Sequence, residues 1–208
     1  MTPAAVDDWR AVLDGRRAWA MVNADCHALR AELPAGAIDA VITDPPYGMK
    51  ANLDSRRYGN AASPLKFGKG KSDWPAIIGD DGPFDPAPWV DFPRVVLFGY
   101  HHFAQALPRG TVLVWIKRSD ALFGTFMSDA ELAWSKGGHG VYCYRKQFRA
   151  LSRIAESGIG KALHPTQKPV GLMSWAMDRA KVPADAVVLD PYAGSGSTGS
   201  RKISALSA

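Results

Sequence analysis

The residues of Asp44-Pro45-Pro46-Tyr47 could together hold a flat amine. Two successive prolines carry no N–H, so the carbonyl oxygens there face outward without donors beside them. The Asp44 carboxylate and the Pro45 carbonyl can then both accept hydrogen bonds from an exocyclic NH2 group. Tyr47 adds a ring against which a planar heterocycle can stack. By itself the tetrapeptide also suits a strand-ending turn with a buried tyrosine.

A second segment, Asp190-Pro-Tyr192-Ala-Gly194-Ser-Gly196-Ser-Thr198-Gly199, combines an acid with a glycine-rich turn. Glycine lets a backbone approach a ligand closely, and a helix beginning beyond it would offer unpaired N–H donors. A phosphate-cradling loop of the Walker type needs a lysine here, and none is present. A dinucleotide site needs an acid about 20 residues further on, and no acid follows Asp190. What remains is a carboxylate beside a backbone pocket, suited to a ligand with an ammonium group and polar sugar edges. The third segment, His164-Pro-Thr166-Gln167-Lys168-Pro169-Val170, reads as a helix start, with Thr166 as cap and Pro169 in the first turn. Its donors could meet a carboxylate.

Elements must hold these segments in place. Trp9 to Arg17 reads as a short helix, Trp19 to Asp25 as a short strand, and Ala28 to Leu33 as a helical turn or two stopped by Pro34 and Gly36. Ala37 to Thr43 is a brief apolar run ending at Asp44, the pattern of a buried strand. Gly48 to Asp91 shows no periodicity and is too long for an ordinary connection, so a functional loop, a lid or disorder is expected there. Strands are expected at Arg94 to Phe98, Thr111 to Ile116 and Ala186 to Asp190, with helices at His101 to Leu107 and Thr166 to Lys181. Asp129 to Trp134 and Val141 to Lys146 predict an antiparallel hairpin turning at Gly137-Gly138. The alternation predicts one α/β domain over residues 1–208, its sheet mostly parallel.

Composition narrows the setting. A chain of 208 residues fits one domain of ~100–200 residues. Its 47% apolar content excludes a disordered or collagen-like chain. No run approaches the ~18 apolar residues of a membrane span. The opening MTPAAVDDWR has two early acids and no apolar stretch of a secretory signal. With only two cysteines in the chain, a reducing cytoplasm is the expected setting. Cys26 and Cys143 cannot build a disulfide framework, and with His101, His102 and His139 they lack paired metal-ligand spacing. Lys and Arg number 25 against 20 Asp and Glu, a formal charge of +5 that permits a nucleic-acid partner without demanding one.

Taken together, the three segments resemble the amino-group DNA methyltransferases that use S-adenosyl-L-methionine, in the permuted class whose catalytic motif precedes the cofactor motif. Asn23-Ala-Asp25-Cys26 and Asp129-Ala-Glu131-Leu-Ala-Trp134 also look like segments of that family, and the likeness spans about residues 18–200. It implies a Rossmann-like class I methyltransferase sheet. It further implies a catalytic set of Asp44, Pro45, Pro46 and Tyr47 acting on a flipped-out base. A cofactor pocket lined by Asp190, Tyr192, Gly194, Gly196 and Thr198 follows, with Thr166, Gln167 and Lys168 at its methionine end and Asp25 at the adenine end. An Asp at the head of the catalytic motif leans towards adenine N6. Cytosine N4, a side-chain amide of a protein, and a catalytically silent DNA-binding relative remain the rivals; the amide enzymes usually begin the motif with Asn.

Double-stranded DNA is the implied partner. Between Glu131 and Glu156 there are no acids, but Lys136, Arg145, Lys146, Arg149 and Arg153 stand among Trp134, Tyr142, Tyr144 and Phe148. Bases of that kind neutralise phosphates and aromatics stack beneath them; a solvated basic hairpin has the same pattern. Lys50, Arg56, Arg57, Lys66, Lys69 and Lys71 are a second candidate set, which would make the long loop, about residues 48–91, a lid or DNA-contacting insertion. Relatives continue past the glycine turn with a helix and a strand whose terminal acid holds the cofactor ribose, whereas here Ser200 to Ala208 carry no acid. Weakened cofactor binding is the expectation that follows. So is an open sheet edge that a second copy, in a homodimer, could pair.

Overall fold

The computed structural model describes residues 8–49, 77–125, 128–147, 167–194 and 196–199. They fall into two units, Met1–Pro45 with Asp85–Ala208, and Pro46–Phe84. The larger unit holds a mixed α/β sheet. Its elements run α1 (Arg10–Leu13), α2 (Cys26–Glu32), β1 (Ala40–Thr43), β2 (Arg94–Phe98), β3 (Gly110–Ile116), β4 (Ala130–Arg145), α3 (Val170–Arg179) and β5 (Val188–Leu189). Sheet order is β3-β4-β2-β1-β5.

β1 pairs in parallel with β2 on one side, Val41 beside Val95, and with β5 on the other, Val41 beside Leu189. A strand flanked on both edges and covered on both faces must be apolar throughout; Ala40, Val41, Ile42 and Thr43 are all fully buried. α3 supplies cover through Leu172, Met173, Ala176 and Met177, which pack with Ile42, Val96, Phe98, Leu113 and Ala133. Its end is a Schellman turn: Lys181 takes φ 53°, Val182 N–H donates to the Met177 carbonyl and Lys181 N–H to that of Asp178.

The expected hairpin is not formed. β4 is one 16-residue strand bent at Gly137 and Gly138, both at positive φ, and β3 lies between its two arms. Val112 and Leu113 face Trp134 and Ala133 in one direction and Val141 and Tyr142 in the other. Each arm is satisfied by β3, so the arms have no need of each other. The first arm also runs antiparallel to β2, Leu97 beside Trp134.

Three further expectations give way. Trp19 to Asp25 is not a strand; it runs irregularly with Trp19 and Met21 exposed. The helix expected from Thr166 begins at Val170, because Lys168 precedes a proline and is pushed out of the helical region; Pro169 takes the extended N-cap position, and Thr166 lies outside the described residues. The helix expected from His101 to Leu107 is two 3-10 turns, Tyr100–His102 and Ala104–Ala106; Ala87–Trp89 is a further 3-10 turn, with Trp89 fully buried. Among the described residues no helix is long and apolar enough to cross a membrane.

Candidate active site

In an open α/β sheet, ligands bind beyond the carboxyl ends of strands, where the strand order reverses. Here the order reverses at β1, whose neighbours β2 and β5 are reached in opposite directions. Asp44 and Asp190 are the residues that leave these two neighbouring tips. The link between them is direct: Thr43, the last residue of β1, donates its hydroxyl to Asp190 Oδ1 at 2.6 Å.

Asp190 is enclosed by neutral donors. Thr198 donates to Oδ2 at 2.5 Å and the Tyr192 backbone N–H to Oδ1 at 3.2 Å. Burial pushes its carboxyl up to about 6 from an ordinary 3.8. The bonds from Thr198, Thr43 and Tyr192 oppose that rise, and the Asp44 charge adds to it. The turn that follows requires glycine: Gly194 and Gly196 have φ of 51° and 74°, and Gly196 N–H donates to the Ala193 carbonyl. This turn opens onto a cavity of about 570 Å³. Asp190, Gly194, Gly196 and Thr198 line it, with apolar walls from α1, α2 and the segment between them. Its volume is that of an ordinary small-molecule site.

Asp44 is not among those walls. It is matched by Lys168, whose ammonium lies 2.5 Å from Asp44 Oδ2 and 3.1 Å from Glu131 Oε2. Lys117 closes the chain of charges with a 2.8 Å bond to Glu131 Oε1. Burial alone would raise the Glu131 carboxyl, but Lys168 and Lys117 outweigh it and hold it at about 2. Lys168 is thus drawn to two carboxylates of the chain, on the Asp44 side rather than in the cavity. Gln167 beside it is buried, and its Oε1 has no hydrogen-bond partner among the described residues.

The remaining sequence candidates scatter. Asp25 caps α2, accepting from His27 N–H at 3.0 Å and Ala28 N–H at 2.8 Å. Tyr192 stands edge-on to Trp89 at 6.2 Å, its phenol held above the ordinary range by burial and then by Cys26. Lys136 donates to the Phe92 carbonyl ahead of β2, at the end of the sheet opposite the two tips. Arg145 pairs with Asp120 near the end of β3, at the same end as the tips. Trp134 is buried and bonded to the Pro108 carbonyl, so it is not available to stack on a base. Pro45 is buried. Lys50, Arg56, Arg57, Lys66, Lys69, Lys71, Arg149, Phe148 and Thr166 lie outside the described residues.

Within the smaller unit, Asp80 is buried and accepts from the N–H groups of Gly48 and Met49 at 2.8 and 3.1 Å. It fixes the turn that follows Pro46 and Tyr47. Gly48 sits at φ 75°, and a Cβ there would lie 2.3 Å from the Gly82 carbonyl oxygen. Sequence reading gave no role to Asp80 or Thr43, and named Glu131 only within the family-like segment Asp129 to Trp134. Only Glu131 left a signal, a lone charge within the apolar run Ala130-Glu131-Leu132-Ala133-Trp134. No known family model matches the chain, and no curated protein matches it.

Proposed function

We propose that this chain is an S-adenosyl-L-methionine-dependent DNA methyltransferase acting on adenine N6, built on a Rossmann-like sheet. The observation that carries the reading is the meeting of two acid-bearing strand tips, 146 residues apart in sequence, at the reversal point of the sheet. The residues at the glycine turn fit the cofactor. Two glycines at positive φ border a cavity large enough for a nucleoside, and Asp190 and Thr198 are polar residues of its lining.

Asp190, Gly194, Gly196 and Thr198 would hold the cofactor, which when bound supplies an electrophilic methyl group. Asp44 and the Pro45 carbonyl accept hydrogen bonds from the exocyclic amine. An aniline-like nitrogen shares its lone pair with the ring, and two acceptors on its N–H bonds favour a more tetrahedral atom with a localised pair. This is orientation and electrostatics rather than prior deprotonation. The resemblance gives Tyr47 the role of a stacking face for a base extruded from the duplex. The amine nitrogen would take up that methyl group and release one proton, which the adjoining Asp44 carboxylate would accept and pass to solvent.

A second reading has its own observation. The oxygens of Asp190 already accept three donors of the chain, and Asp25 is engaged as a helix cap. That arrangement favours a silent DNA-binding relative with weak cofactor affinity. Transfer of tritiated methyl groups to unmethylated DNA decides between the two. Label on adenine that disappears in Asp44→Ala supports the enzyme; a protein that shifts DNA and never labels it is the binding module, and label on cytosine moves the substrate to N4.

A further inference from the structure

We infer that Lys168, braced by Glu131, is a positioning residue for Asp44: it orients that carboxylate and cancels its charge, so that the site accepts a neutral aromatic amine in preference to an ammonium group. The inference rests on the functional reading above and assigns Lys168 to the base side of the site, not to the cofactor's methionine end.

The geometry is that of a held cation. Only 9% of the Lys168 side chain is exposed, and its ammonium reaches Asp44 from one direction and Glu131 from another. The ring of Phe98, the last residue of β2, lies 5.7 Å away and offers a third favourable face. Glu131 in turn is fixed by Lys117. A lysine on a flexible stem orients a neighbour poorly unless it is anchored, and here the anchors come from β4 and the end of β3. Asp190 faces Asp44 from β5, where Thr43 and Thr198 bond to it. Asp44, Glu131, Lys168 and Lys117 together carry no net charge. An incoming ammonium would find Asp44 already matched, and would have to give up water without a counter-charge in return. A neutral NH2 group needs only acceptors, which leaves the pairing undisturbed.

The test uses the full chain with Lys168→Met, Lys168→Arg and Glu131→Gln. With labelled S-adenosyl-L-methionine and DNA, Lys168→Met is expected to lose about 30-fold or more in kcat, as when a reacting group is misaligned. Its cofactor KM should stay within about twofold, the pattern of an interaction felt only in the transition state. Lys168→Arg restores part of the rate, and Glu131→Gln shows the same split more weakly. Butylammonium should inhibit Lys168→Met more strongly than the unaltered protein. A tenfold rise in cofactor KM at unchanged kcat would place Lys168 on the cofactor and overturn the inference. Should the unaltered chain transfer no methyl group, the functional reading fails separately. The pairing is then read from melting temperatures of Lys168→Met, Asp44→Asn and their double variant. A double that melts no lower than the weaker single supports the pairing, and additive losses overturn it.

Discussion

The tips of β1 and β5 begin alike, an acid followed by proline, and stand side by side on parallel strands; their carboxylates nevertheless keep opposite company. Asp44 is met by the Lys168 ammonium, itself shared with Glu131. Asp190 is met by two hydroxyls and one backbone N–H. An ammonium cancels charge, whereas neutral donors only soften the loss of water. Burial therefore prevails at Asp190 and raises it to about 6. The acid-proline pattern decides where a carboxylate stands; residues brought in from elsewhere decide what charge it keeps.

The comparison breaks most visibly at its charged side. Asp44→Ala is expected to lower methyl transfer by about 100- to 1000-fold, the scale for loss of a group that polarises and aligns a reacting atom. Initial rates at saturating cofactor measure it, and a loss under threefold would erase the functional contrast between the tips.

The next effect is on stability. Glu131→Gln leaves Lys168 and Lys117 short of a counter-charge, at a cost of about 3 kcal/mol in urea unfolding at neutral pH. Glu131 sits at about 2 when folded against an ordinary 4.5. Its stabilising contribution is therefore complete above pH 4.5 and fades as pH falls towards 2. The variant should lose that part of the acid limb.

Asp190 carries the opposite sign. Raised from 3.8 to about 6, its protonated form favours the folded state. That contribution is complete below pH 3.8 and is lost as pH rises through 6. Asp190→Asn should flatten the fall in stability between pH 4 and 7 by about 1–2 kcal/mol, after allowance for partial exposure. Urea midpoints across that range check it; an unchanged slope would mean that Asp190 is not buried as described.

The smallest effect expected is that of Gly196→Ala. At φ 74° a Cβ is strained, and it would also touch Met21 Cε at 3.4 Å. A loss of about 1 kcal/mol in thermal unfolding is expected, with a larger fall in cofactor affinity if the turn holds the ligand.

Much of the scaffold was legible in short apolar runs. Val95-Val96-Leu97 and Ala40-Val41-Ile42 read as buried strands because a strand paired on both edges and covered on both faces leaves no place for polar residues. The bent β4 was not legible. Two runs joined by Gly137-Gly138 carry the same pattern whether they pair with each other or with a third strand between them. Trp134 read as an aromatic among basic residues that could pack beneath them or stack on a base, but it is buried and bonded to the Pro108 carbonyl. Asp25 was named for a ligand and is engaged by the first N–H groups of α2, a use that any acid before a helix has available.

By itself, the order of residue types determined that two acids would end two apolar strands and that a glycine turn would follow the second. Local sterics and hydrophobic pattern are enough for that, since they act between residues near in the chain. Only the tertiary structure decided that Lys168 crosses to Asp44, 124 positions away, that Thr43 and Thr198 enclose Asp190, and that Glu131 stands beneath both cations. Charge and hydrogen bonding act across a few ångströms of space regardless of separation along the chain, so their partners come into being only when the sheet assembles.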